Sequence, residues 1–371
     1  MIRALLMLIL AGLPCAAQSG IEGIFGPLAD PKAPGAAVLV LKGGRPFYER
    51  AFGVRDLKSS SKITDGTNFR LASMSKQFTA MAIMLLVHDR KLQYEDRLTD
   101  IFTDFPDYGR AITIRHLLTH TSGLADYEEL MDKSWTPAHQ IQDQGVFELL
   151  KRQKSGKFAP GASWAYSNSG YVVLGLIAAK AGAEPFPDFL HRRIFEPLHM
   201  RHTLAFVNGQ NTVPSRAYGH IRKDGTFIQA DQSSTSATLG DGGIYSNVSD
   251  LAKWDEALRK NTLLSKNDMA AALTPILANG ALPNWPAAPN DDNLAPGKPV
   301  SYGFGWFLDP YKGRPRMWHT GTTSGFRTVI QRFTDEDLSI IILANRTDFD
   351  VAKLSLQIAD LLDAREVAPR K

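Results

Sequence analysis

Apolar positions follow three different rhythms along the chain. Ala36 to Lys42 (AAVLVLK) is an almost unbroken apolar run, followed by Gly43-Gly44-Arg45-Pro46 and a second run from Phe47 to Val54. Two such runs about a Gly-rich turn predict a β-hairpin. From Ser73 to roughly Leu92, Phe78, Met81, Ala82, Met84, Leu85 and Leu86 cover nearly every side of a helical wheel. A helix apolar all round belongs in the middle of a protein. This one opens on Ser73, Ser75 and Lys76, and that polar start to a buried element needs a reason.

Between about Leu98 and Ala271 the pattern is mostly helical. Thr113 precedes Ile114 to Thr119, and further periods cover Gly170 to Gly182, Pro187 to Phe195 and Ser249 to Leu258. Thr274 to Pro299 carries six prolines among Asn and Gly and predicts a long irregular connection. Beyond it, Tyr302 to Leu308, Met317 to Thr320, Arg327 to Phe333 and Leu338 to Asn345 read as strands, and Val351 to Leu362 as a closing amphipathic helix. Strands at both ends around a helical middle predict an α/β chain of the α+β type: one antiparallel sheet built from both chain ends, flanked by helices, with an inserted helical subdomain. The boundaries expected are a sheet part over about 30–72 and 300–371 and a helical part over about 73–299. There is no internal repeat.

Composition narrows the functions available. The 371 residues are 44% hydrophobic and 22% charged, ordinary values for a folded globular chain. A net charge of +4, with no run of five like charges, argues against nucleic acid as a partner. Residues 1–17 have a cationic start, an apolar stretch and the small-residue site Cys15-Ala16-Ala17, the form of a secretory signal. The mature chain expected is 18–371, exported to a bacterial periplasm and carrying no transmembrane anchor. The only cysteine, Cys15, lies in that leader, so a thiol nucleophile, disulfides and thiolate metal sites are not expected.

Motifs of zincins, P-loop NTPases and α/β-hydrolases (H-E-x-x-H, G-x-x-x-x-G-K-[ST], G-x-S-x-G) do not occur. His116 and His120, four apart, have no acidic third ligand nearby and read as structural. No metal or cofactor is expected. What remains is Ser73-Met74-Ser75-Lys76. A serine hydroxyl needs a base, and three residues along a helix places an amine on the same face. Desolvation would lower the pKa of that amine enough to take the serine proton. The bland alternative is a helix N-cap, a role serine favours anyway. Ser59 and Lys62 have the same spacing, but in a polar stretch that reads as an exposed loop.

Two further elements are Tyr166-Ser167-Asn168, ahead of an apolar helix, and His319-Thr320-Gly321-Thr322 on a C-terminal strand, where the glycine would let substrate backbone approach. Tyr245-Ser246-Asn247 is a rival to the first, and periodicity does not choose between them. Together these elements resemble the S-x-x-K, Y-x-N and K-T-G signatures of the serine β-lactamase and penicillin-recognising superfamily, in the branch of class C β-lactamases, family VIII esterases and D-aminopeptidases. His116 to Leu124 and Gly242 to Ser246 also look familial, and the resemblance runs over about residues 30–363.

The resemblance favours Tyr166 over Tyr245 and implies roles. Ser73 would be acylated, Lys76 and Tyr166 would share its proton, and Asn168 would bind a substrate amide or ester. The backbone amides of Ser73 and Thr322 would hold the oxyanion, with His319, Thr320, Gly321 and Thr322 on the substrate-binding strand. His319 stands where lysine is usual, so carboxylate binding is expected to be weaker or pH-dependent. The implied function is an esterase or D-peptidase on a small-molecule or peptide substrate. β-Lactamase activity and a non-catalytic cell-wall-peptide binder are the alternatives. Trp164, Tyr302, Trp306, Trp318 and Phe326 lie near these motifs and read as core packing.

Overall fold

The computed structural model describes residues 17–28, 30–284 and 299–363. Most of the expected leader, including Cys15, lies outside the described residues, as does part of the proline-rich connection.

Five antiparallel strands form the main sheet: β1 (Ala36–Lys42), β2 (Arg45–Phe52), β3 (Arg316–Thr323), β4 (Phe326–Phe333) and β5 (Leu338–Ala344), in the order β3-β4-β5-β1-β2. The two chain ends meet where β1 pairs with β5, Val38 opposite Ile342. Alternate residues face different layers. Ala37, Leu39, Leu41, Ile341 and Leu343 join the core beneath the helical part, whereas Val38, Val40, Ile340 and Ile342 pack under the C-terminal helix and the helical residues 17–24. A sheet covered on both faces requires apolar side chains at consecutive positions, which is why β1 and β5 lack a polar alternation.

Helix α1 (Lys76–His88) runs through the larger core, with every residue from Lys76 to Leu86 buried. It packs against α2 (Asn168–Gly182), which begins at the Tyr166-Ser167-Asn168 motif. Helix α3 (Val248–Lys260) is tied to the sheet by Asp255, which accepts from Arg332 Nε and Ser339 Oγ at 2.6 Å each. Helix α4 (Val351–Leu361) closes the opposite face.

Three expectations change. Residues 302–308 are not a strand; Tyr302 and Phe307 form only isolated bridges, because Gly305 adopts φ +76° and turns the chain where a Cβ would sit 2.8 Å from Gln77 Cα. The helical middle also contains short strands, a hairpin over His220–Lys223 and Thr226–Gln229 and a three-stranded patch of Phe69–Arg70, Ile244–Ser246 and Leu204–Ala205. Strands of two to four residues are too short to leave a readable period. Finally, the helix expected from Ser73 begins as a 3₁₀ turn, Ala72–Ser75, before α1.

Candidate active site

The sequence Leu71-Ala72-Ser73 passes from the short patch strand into the 3₁₀ turn through Ala72, whose φ of +50° is costly for any residue with a Cβ. Neighbouring contacts hold it there: Ile244 N donates to Ser75 Oγ (3.2 Å), and Thr79 Oγ1 donates to the Gly240 carbonyl (2.6 Å). Ser73 is the one residue from Leu71 to Leu86 that is not fully buried. It caps no helix. In a 3₁₀ turn residues i and i+3 eclipse, so Lys76 stands directly beside it, Nζ 3.1 Å from Ser73 Oγ.

Lys76 is 0% exposed. Its Nζ also reaches Asn168 Oδ1 (2.8 Å) and the Asp241 carbonyl (3.0 Å). Burial lowers its pKa to about 8, against the opposing pull of Asp241, Asp126 and Glu128. Both of those oxygens are acceptors only, so in the neutral amine they take the two N–H groups. The lone pair is then left pointing at the Ser73 hydroxyl.

Tyr166 lies across this pair, with Lys76 Nζ 4.8 Å from its ring centroid. The His120 ring lies 4.4 Å behind it, centroid to centroid, and Trp164, Tyr302, Phe307 and Trp318 form the apolar cluster beyond. His120 Nδ1 accepts from Ser167 N (3.0 Å), and Ser167 in turn caps α2 by accepting from Gly170 N. Asn168 N donates to Asp126 Oδ2 (2.9 Å), which fixes the first turn of α2 against the loop before Tyr127.

The third element, on edge strand β3, divides. Thr322 is exposed and lines an open cleft together with Ser73, Asn168, Asp241, Glu128 and Thr323. His319, Thr320 and Gly321 are buried behind it. His319 Nδ1 faces the Thr320 carbonyl at 2.6 Å, and Nε2 lies 3.2 Å from the Tyr302 hydroxyl. Burial and the nearby Lys76 push its pKa down to about 3. Of the two expectations for His319, a buried ring held neutral agrees with weaker carboxylate binding, and the ring's Nε2 sits beside the Tyr302 hydroxyl. A Cβ at Gly321 would sit 2.0 Å from the Leu71 carbonyl, so the glycine permits the close approach of the protein's own nucleophile segment.

The rivals resolve by environment. Tyr245 is buried, its hydroxyl beside Arg216 Nη2 (3.1 Å), and Asn247 caps α3, whereas it is the Tyr166 ring that lies 4.8 Å from Lys76 Nζ. Ser59 is exposed and donates to Asp56 Oδ2 (2.7 Å). His116 sits in a capping box with Thr113, Nδ1 accepting from Thr113 N. Asp126, Glu128 and Asp241 were not anticipated as part of the site. Asp241, flanked by glycines in Gly240-Asp241-Gly242-Gly243, is the one with a local signal.

The Beta-lactamase family model matches residues 21–363. The chain belongs to the Beta-lactamase family. Penicillin-binding protein 4* of Bacillus subtilis is 31% identical over 344 residues, 88% of this chain and 72% of that protein. A D-aminopeptidase of Cereibacter sphaeroides is 28% identical over 85% of this chain, which spans 57% of that relative. Among solved structures, the D-amino acid amidase of Ochrobactrum anthropi superposes with a TM-score of 0.74 at 23% identity, covering 95% of this chain and 99% of its own, a likeness of fold. The sheet from both chain ends with its helical insert is thus the architecture of this serine hydrolase family.

Proposed function

We propose that this Beta-lactamase family protein is an exported serine hydrolase that cleaves amide or ester bonds through an acyl-enzyme on Ser73. The observation that carries this reading is the Lys76 amine, buried, with its two acceptor-only partners and Ser73 Oγ at 3.1 Å. Neutral Lys76 takes the Oγ proton as Ser73 attacks the substrate carbonyl. The resulting oxyanion is met by the Ser73 and Thr322 backbone amides. The proton then passes through Lys76 and Tyr166 to the leaving amine or alkoxide, which departs and leaves the acylated serine. Water then attacks the acyl carbon and gives a proton to the same pair, which returns it to Ser73 Oγ as the acyl–Oγ bond breaks and the acid leaves.

Export rests on the pattern of residues 1–17. A D-amino-acyl amide or ester, or a short peptide, suits the open polar cleft. With neutral His319 in the place of a permanent cation, β-lactam turnover is expected to be the slower reaction.

Mass spectrometry after exposure to a fluorophosphonate tests the proposal. A single adduct on Ser73, lost in Ser73→Ala, supports it. No adduct, together with no turnover of p-nitrophenyl esters or D-alanyl amides, leaves a binding protein in its stead.

A further inference from the structure

His120 lies against Tyr166 and takes no part in the proton path from Ser73 to the leaving group. It follows the short helix Ile114–Leu118 in the left-handed conformation (φ +61°), with His120 N donating to the Leu117 carbonyl (3.4 Å) and Thr121 N to that of His116 (2.9 Å). Glycine or asparagine is the usual residue at such a helix end, because a Cβ is costly there. The turn aims both the carbonyl and the ring of His120 at the chain around Tyr166. Its carbonyl accepts from Ala165 N (3.0 Å), and its Nδ1 accepts from Ser167 N (3.0 Å). The residues on either side of Tyr166 are therefore bound to one histidine, whose ring also backs the phenol, 4.4 Å between centroids.

The side chain is 1% exposed, and its partners dictate its tautomer. A backbone N–H only donates, so Nδ1 carries no proton and the neutral ring has its proton on Nε2. Burial and the nearby Lys76 hold its pKa well below the ordinary histidine value. Nε2 is buried without a hydrogen-bond partner among the described residues, and the rings of Tyr171, Tyr302 and Trp164 surround the imidazole. A proton on Nε2 has neither a source nor a destination there, so the ring is no proton carrier. Packing alone does not explain it either, since an orphaned N–H in the core carries a desolvation cost that an apolar side chain of like size would avoid. What only a histidine supplies is the acceptor at Nδ1 on a flat ring.

We infer that His120 is a positioning residue for Tyr166: it fixes the phenol by holding the backbone on both sides of it, and so governs delivery of the proton to the leaving group. The inference rests on the acyl-enzyme reading and on the role given there to Tyr166.

Leaving groups that differ in their need for that proton provide the test. The alkoxide of an ethyl ester must be protonated as its C–O bond breaks, whereas p-nitrophenolate leaves as a stable anion. The readout is the ratio of kcat/KM for the p-nitrophenyl and ethyl esters of one acyl group, in which the folded fraction of a sample cancels. His120→Phe keeps a flat ring and loses the acceptor. It should lower kcat/KM about 100-fold for the ethyl ester and only about threefold for the p-nitrophenyl ester, and Tyr166→Phe should show the same bias. His120→Asn, whose Oδ1 replaces the Nδ1 acceptor and which tolerates the left-handed turn, should bring the ratio back to within about threefold of wild type. Added to Tyr166→Phe, His120→Phe should move the ratio no further. In the wild type, ¹⁵N NMR shifts should show a neutral ring protonated on Nε2 from about pH 6 to 9. Equal losses on the two esters, no recovery with asparagine, additivity with Tyr166→Phe, or a ring that titrates in step with activity each overturns the inference, and the NMR arm needs no variant to fold. If wild type turns over neither ester and Ser73 takes no fluorophosphonate, the acyl-enzyme reading fails first and the inference with it.

Discussion

Two stretches of this chain carry a serine and a lysine three residues apart, Ser59–Lys62 and Ser73–Lys76, and they behave as different chemical objects. The first lies at the surface, Ser59 turned to Asp56 and Ser61, and Lys62 Nζ to the Pro31 carbonyl. Its amine is exposed and turned to that carbonyl, away from Ser59. The second is built into the largest core, where burial brings the amine to a pKa of about 8 and protein oxygens orient its lone pair. Spacing is common to both. Only desolvation together with fixed acceptors makes one of them a base.

The contrast is sharpest in activity. Ser73→Ala should lower kcat/KM by about three to four decades or more, and Ser59→Ala should leave it unchanged, as read by p-nitrophenyl ester hydrolysis. Comparable losses in the two would erase the distinction. Lys76→Arg should cost about two to four decades, since a guanidinium does not give up its proton below pH 12, whereas Lys62→Arg should be silent.

The pH profile sharpens the cause. Lys76 acts in its neutral form, and its folded pKa is depressed, so the active fraction grows as pH rises. On a neutral ester, kcat/KM should climb about tenfold per pH unit below about pH 8 and level off above it. A profile already flat from pH 6 would mean that the serine proton goes elsewhere.

Smaller effects probe the frame. Gly321→Ala places a methyl 2.0 Å from the Leu71 carbonyl and 2.3 Å from Thr328 Oγ1, forcing β3 away from the nucleophile turn. Overpacking of this kind costs about 1–3 kcal/mol of stability, and activity should fall about 10- to 100-fold as the Thr322 amide shifts with the strand. At the surface site, Ser59→Ala should change unfolding free energy by no more than about 0.5 kcal/mol in urea titration.

These differences also explain what could be read beforehand. Ser73 and Lys76 were legible because their relation is local: a polar start to an all-apolar helix is visible in one window of sequence. The hairpin, the three strands from Arg316 on and the long helices of the insert were legible for the same reason, whereas 302–308 and the short strands of the insert were not. Tyr166 was separable from Tyr245 only by family resemblance, because both precede a helix and carry an Asn two residues on. Asp126, Glu128 and Asp241 had no pattern tying them to Ser73, and His319 looked like a substrate contact because its place on β3 says nothing of which way the ring turns.

By itself the sequence determined the elements and the pairing of a hydroxyl with an amine, since hydrophobic period and helical spacing are properties of neighbouring residues. Tertiary structure alone decided the charge state of that amine and the direction of its lone pair. Each depends on how much water is excluded and on which distant oxygens come within about 3 Å, and these are consequences of packing between segments more than ninety residues apart.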